Sequence, residues 1–207
     1  MSTAMKMSEL SSTSGVSTAS IKYYLREGVM PAGQATGPRD ADYDEGHVER
    51  LEIIRNLRDT AQLSIATVKR LMAAADDETV PTGQLVAMAH SSVLTKREIT
   101  NQERELAAQL LTALNWTVPE RSPVFGQLAH LLGILKQGQA PTDPEGLAPW
   151  LTAAEQVTQL ELGLTRTQGS RALLVHDVVI GTYLSNQLLV TLHMAAQVNQ
   201  AMKQFAG

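Results

Sequence analysis

The three residues Gly15, Val16 and Ser17 limit most sharply what this chain can fold into. A short segment with helix end signals lies on each side of them. The first runs from about Ser8 to Ser14 and ends at Gly15, where a terminating helix favours a left-handed residue. The second opens at Ser17, a good N-cap, and runs to Glu27, with Gly28 as its stop. Two helices joined by a three-residue turn that contains glycine form a helix-turn-helix.

Residues 28–44 extend this unit. They are rich in Gly, Pro, Ala and Asp and have no helical period, which suits a loop or a small two-stranded wing. A third helix is expected from about Glu45 to Asp59, with Val48, Leu51, Ile54 and Leu57 on its inner face. Ser64 caps a fourth, in which Ile65, Val68, Leu71 and Met72 recur at three- and four-residue steps. The run Asp76 to Gly83 breaks the pattern and marks a domain boundary.

Beyond it the apolar residues Ile99, Leu106, Leu110 and Ala113 fall at near-heptad spacing among charged ones. One long helix is expected from Gln84 to Asn115, paired on one side with a second subunit or with the chain's own helices. Ser122-Pro123 and Asp143-Pro144 each start a further helix, the first carrying Phe125, Leu128, Leu131, Leu132 and Leu135. Arg171 to Phe205 is apolar nearly all round through its middle, as expected of the central helix of a C-terminal bundle. Its most apolar stretch, Ala172 to Leu192, contains His176, Asp177, Asn186 and Gln187, which favours a soluble helix over a membrane span. The fold expected is mainly α: a winged helix-turn-helix of four helices over 1–76, a linker or dimerisation helix over 84–116, and an all-helical domain over 121–207.

The segment from Gly15 to Pro31 reads Gly-Val-Ser-Thr-Ala-Ser-Ile-Lys-Tyr-Tyr-Leu-Arg-Glu-Gly-Val-Met-Pro. It resembles the recognition segment of the mercury-resistance-regulator (MerR) family, in which a Gly-Val-Ser turn leads to a helix with a basic residue and Tyr-Tyr, and then to Gly and Pro before the wing. Tyr43-Asp44-Glu45 resembles that family's opening of helix three, and Leu63-Ser64-Ile65 its opening of helix four. The resemblance implies a homodimer on an overlong promoter spacer, whose twist it changes so that the elements read by RNA polymerase realign. Double-stranded promoter DNA, a second copy, RNA polymerase and an unknown small-molecule effector are the partners it implies; no membrane and no cofactor are expected. Arg39, after Gly37 and before Tyr43, stands in the neighbourhood of the family's wing arginine.

The residues carry a reading of their own. Thr18, Lys22 and Arg26 are spaced by four and share one face of the second helix, where hydroxyl and basic groups meet phosphates and base edges. Ser17, Thr18 and Ala19 lie on its leading turn, and Tyr23 can offer its hydroxyl to phosphate, while Ile21, Tyr24 and Leu25 face the core. The DNA-binding set is therefore Ser17, Thr18, Ala19, Lys22, Tyr23, Arg26 and Arg39.

Composition narrows the remainder. Net charge is −4, with nine basic and nine acidic residues up to Ala75 and eight against twelve after it, so bulk charge does not itself announce nucleic acid. The absence of cysteine excludes disulfides, thiolate metal sites and cysteine nucleophiles. The five histidines have no close helical pairing, so no metal site is expected, and no catalytic pattern is present that would make the chain an enzyme. Met1 to Met7 lack a secretory pattern, and a cytoplasmic location is expected. Trp116, Trp150, Tyr183 and Met194 are the side chains most suited to an apolar effector pocket. The rival expectation is a helical interaction protein or antirepressor that uses the helix-turn-helix for protein contact, to which the acidic wing residues Asp40 and Asp42 lend weight.

Overall fold

A computed structural model describes residues 4–37, 40–164 and 169–205, with the side chain of Leu164 outside that description. The chain divides into two compact units: residues 1–90 with 166–207, and residues 91–165.

The first unit opens with α1 (Met7–Ser14) and α2 (Thr18–Glu27). Gly15 takes φ 67° at the end of α1, and Ser17 caps α2 by accepting the N–H of Ser20 at 3.1 Å. Arg55 donates to the Ser14 carbonyl at 3.0 Å, satisfying an acceptor that the end of α1 leaves free. Next come β1 (Gln34–Ala35) and β2 (Ala41–Asp42), an antiparallel pair with Gln34 opposite Asp42. Met5 bridges to Tyr43 and lays the N-terminal segment beside this wing. Gly33 is required there, because a Cβ would stand 2.6 Å from the Asp42 carbonyl oxygen.

Two helices support the motif, α3 (Glu45–Asp59) and α4 (Ile65–Asp76). Asp44 caps α3 and Ser64 caps α4 through the side-chain bonds their positions predict. Leu10, Ile21, Val29, Leu51, Ile54, Leu57, Val68 and Met72 are buried at the centre of the unit. Arg50 is buried as well, and its guanidinium forks onto Asp76 at 3.0 and 2.5 Å while Nε donates to the Val29 carbonyl at 3.1 Å.

The stretch expected as one helix over 84–115 is two, α5 (Thr82–Ser91) and α6 (Asn101–Ala113). The break has a local cause. Thr100 accepts the N–H of Glu103 while the Glu103 carboxylate accepts the N–H of Thr100, a capping box that starts a new helix. In the second unit α6 packs on α7 (Pro123–Gln137), joining Ala107, Leu110 and Leu111 to Phe125, Ala129 and Leu132. That contact occupies the side of α6 on which Leu110 lies, one of the residues expected to face a partner. The helix expected after Asp143-Pro144 begins later, as α8 (Ala148–Leu164), and Asp143 instead caps a turn by accepting the Gly146 N–H at 2.9 Å.

The last helix, α9 (Arg171–Phe205), returns to the first unit. Sequence periodicity suits it to the centre of a C-terminal bundle; its first turns pack instead on α3 and α4. Ala172, Val175, Val178 and Val179 are buried. Arg171 donates to the carbonyls of Ala75 (3.0 Å) and Val80 (2.7 Å), closing the end of α4. Ser170 donates to Glu49 at 2.7 Å, and the Asn56 amide meets His176 Nε2 at 3.1 Å.

Candidate nucleic-acid interface

The turn between α1 and α2 decides which side of α2 reaches solvent. Ile21 is fully buried, and Tyr24 and Leu25 are half-buried on the same side. Burial pushes the Tyr24 phenol above its ordinary range, as expected of a ring turned inward. Ser17, Thr18, Ala19, Lys22 and Arg26 are exposed, so the expected face is presented outward as a strip of hydroxyl and basic groups. Tyr23 is half-buried, and the Arg26 guanidinium stands over its ring, 5.4 Å from the centroid. That contact holds both side chains at the far end of the strip. Arg39 lies outside the described residues.

The wing carries a feature that has no signal in the sequence. Lys6 and Asp42 form an ion pair at 2.6 Å, and the Lys6 ammonium also donates to Thr36 at 3.2 Å. The bond to Asp42 raises the Lys6 pKa above its ordinary value. One of the two acidic groups that would oppose a phosphate backbone therefore has a counter-ion from the N-terminal segment. The bridge from Met5 to Tyr43 delivers it there. Lys6 lies outside the recognisable motif, and only the pairing of residue 5 with residue 43 brings it to the wing.

Behind the wing, His47 Nδ1 lies 2.5 Å from Asp44 Oδ1, and this bond holds the Asp44 carboxyl below its ordinary range. An open cleft of about 620 Å³ runs beside it, lined by Pro31, His47, Glu49, Arg50, Asp76 and Arg171 among others. Ile53, Ala75 and Ala172 contribute apolar wall, while Arg50, Asp76 and Arg171 are engaged in ion pairs and hydrogen bonds. The four residues proposed for an effector lie elsewhere. Trp116 and Trp150 belong to the second unit and are exposed, whereas Tyr183 (half-buried) and Met194 (exposed) are on α9. Among the described residues no cluster of His, Cys, Asp and Glu suited to a metal ion is found.

Comparison with known proteins gives the same frame. Residues 5–75 match the profile of the MerR HTH family of regulatory proteins. The HTH-type transcriptional regulator ZntR homolog of Haemophilus influenzae is 31% identical over 68 residues, a third of this chain (33%) and half (50%) of that protein, so the chain spans only half the length of that relative. A solved structure from Streptomyces coelicolor A3(2), SCO5550, proposed to be a transcriptional regulator, superposes with a TM-score of 0.70 at 27% identity. It covers 97% of this chain and 98% of its own. The turn, the capped recognition helix, the wing and the two supporting helices of residues 5–75 are a MerR-family helix-turn-helix domain.

Proposed function

We propose that this chain is a sequence-specific DNA-binding transcriptional regulator, which places α2 in the major groove and the wing along the flanking backbone. The observation that carries this reading is the division of α2: Ile21 is buried while Thr18, Lys22 and Arg26 are exposed along one line. Basic and hydroxyl side chains in that arrangement suit phosphates and base edges. Lys6 supports the wing's part in it, since its ammonium offsets Asp42.

The finer reading is that the protein acts as a cytoplasmic homodimer on an inverted repeat in promoter DNA, altering spacer twist for RNA polymerase. In this scheme the helices after residue 90 serve to receive a signal, with a small molecule as the effector. Trp116, Trp150, Tyr183 and Met194 are the side chains proposed for its recognition. None of the chemistry at hand calls for a catalytic role.

Fluorescence anisotropy of the purified chain on its own upstream DNA, at two salt concentrations, tests the central claim. A regulator binds selectively, and log affinity falls against log salt with a slope of about 0.9 per neutralised phosphate. Equal and weak binding to unrelated duplexes would replace it with the interaction-protein reading.

A further inference from the structure

The imidazole of His47 sits at the foot of the wing with an acceptor at each of its nitrogens. Nδ1 lies 2.5 Å from Asp44 Oδ1, and Nε2 lies 3.5 Å from the Ala32 carbonyl oxygen. The side chain is 13% exposed, and its ring stands edge-on to Tyr43 with 5.2 Å between centroids. The same Tyr43 ring backs Gly33, where an added Cβ would come 2.8 Å from Cε1. Ala32 and Gly33 lead directly into β1, and Tyr43 follows β2. His47 therefore joins both strands of the wing, at their base, to the first turn of α3.

The proton count decides what that joint can do. A carbonyl oxygen only accepts, and so does an ionised carboxylate. The bond from His47 keeps the Asp44 carboxyl ionised to lower pH than usual. A neutral imidazole has one N–H and satisfies one of the two oxygens, whereas an imidazolium has two and satisfies both. The two neutral forms are unequal. With the proton on Nε2, Nδ1 could accept the Asp44 N–H at 3.2 Å, but its lone pair would stand 2.5 Å from Asp44 Oδ1. The neutral ring therefore keeps Nδ1–H on Asp44 and turns a bare Nε2 toward Ala32. That contact, at the outer edge of hydrogen-bonding distance, is the one that depends on charge.

We propose that His47 is a positioning residue of the wing, and that its imidazolium form ties Ala32 to Asp44 and holds the wing ready for the phosphate backbone. A wing held in place before DNA arrives loses less freedom on binding, so affinity follows the fraction of protein in which the tie is made. The use made of the tie rests on the regulator reading of this chain. Charges around the ring favour the cation. The cleft beside His47 is lined by Asp44, Glu49, Asp76 and Glu78 against the guanidiniums of Arg50 and Arg171. Arg50 is matched by Asp76, and Arg171 is engaged by backbone carbonyls at the end of α4. On the wing side Asp42 is matched by Lys6. The N-terminal end of α3 opposes a cation, and Asp44 and Glu45 offset that effect.

Nuclear magnetic resonance of the full chain without DNA, from about pH 5 to about pH 8.5, reads the tie directly, since this range spans the charge change of histidine. The Gly33 N–H belongs to the same peptide group as the Ala32 carbonyl, so its nitrogen shift reports the bond. The Gly33 signal is expected to titrate with the same midpoint as the His47 ring. His47→Asn keeps a donor for Asp44 in place of Nδ1 and has nothing that reaches Ala32. In it the Gly33 signal stays level while the far-UV spectrum matches wild type. In anisotropy titrations on upstream DNA, wild-type affinity falls about threefold to tenfold between about pH 5.5 and about pH 8, the scale of one hydrogen bond from a charged donor. His47→Asn binds more weakly than wild type at the lower pH and changes far less across the range. His90, His130, His176 and His193 are present in both proteins, so only the difference between the two is read. A Gly33 signal that does not follow the His47 ring, wild-type affinity level across the range, or His47→Asn as pH-sensitive as wild type would each overturn the proposal. Should His47→Asn fail to fold, the wild-type Gly33 titration and pH profile still decide it. A tie that titrates in a chain indifferent to DNA sinks the regulator reading alone, and selective DNA binding with a level Gly33 signal sinks the tie alone.

Discussion

Lys22 and Arg50 are both basic residues of the first unit, and their surroundings give them opposite roles. Lys22 is exposed on α2, so its removal leaves no cavity and no unsatisfied neighbour. Lys22→Ala should weaken DNA binding about threefold to tenfold and lower the salt slope by about 1, with the far-UV spectrum intact. Anisotropy titrations at several salt concentrations check both numbers, and an unchanged slope would remove Lys22 from the backbone contacts. Arg50 is 7% exposed and serves the fold, tying Asp76 at the end of α4 to the Val29 carbonyl just past α2. Asp76 itself is largely exposed and regains water when the pair is broken, so the cost comes mainly from the orphaned Val29 carbonyl and the lost packing. Arg50→Met is expected to lower stability by about 2 kcal/mol in urea unfolding. It should affect DNA binding only through that loss.

Two helical glycines of α7 separate close packing from mere proximity. At Gly126 an added Cβ would lie 3.5 Å from the Arg97 carbonyl oxygen, an ordinary contact, and Gly126→Ala should raise stability by up to about 1 kcal/mol through helix propensity. At Gly133 the same atom would stand 2.7 Å from Glu103 Cγ. The Glu103 side chain cannot easily move, because its carboxylate is held by Thr100 and lies 3.2 Å from His130 Nδ1. Gly133→Ala should therefore destabilise by about 1 kcal/mol or more. Equal thermal shifts for the two variants would refute the distinction. Glu103 also carries a pH signature. The Thr100 backbone N–H, then its hydroxyl, then His130 lower the Glu103 pKa from its ordinary 4.5. A carboxylate with a lowered folded pKa stabilises above its unfolded pKa and loses that contribution as pH falls through the folded value. The melting temperature of wild type should exceed that of Glu103→Gln near neutral pH, and the gap should close as pH falls from 4.5 through the lowered folded value. The capping box behind both predictions was legible at Thr100 and Glu103, yet the near-heptad spacing of Ile99, Leu106 and Leu110 ran across it and suggested one continuous helix. Stops and caps at Gly15, Ser17, Gly28, Ser64 and Ser122 involve neighbouring residues, and they appear where the sequence places them. Contacts between distant segments, such as Lys6 with Asp42 or Ser170 with Glu49, have no local signal.

On the scale of the whole molecule, α9 makes the last residues of the chain part of the domain formed by the first. Its apolar character was plain in the sequence, but periodicity cannot say which surface an apolar helix will cover. The structure answers with Ala172, Val175, Val178 and Val179, buried in the first unit. The second unit has its own core around Phe125, Ala129 and Leu132. A cavity placed under α9 should therefore loosen the helix-turn-helix unit selectively. Val175 is fully buried, and Val175→Ala is expected to cost about 1–3 kcal/mol, whereas Val190→Ala on the same helix, 59% exposed, should cost little. The chain supplies a probe that separates the units, since Trp116 and Trp150 both lie in residues 91–165 and all four tyrosines lie in the other unit. In urea, Val175→Ala should move the circular-dichroism transition of the first unit to lower denaturant and leave the tryptophan transition in place. If both transitions moved together by the same amount, the two cores would be melting as one cooperative body, and a change at α9 would reach residues 91–165 directly. Movement of the first alone would mean that DNA binding can be tuned through α9 without disturbing the unit that carries both tryptophans.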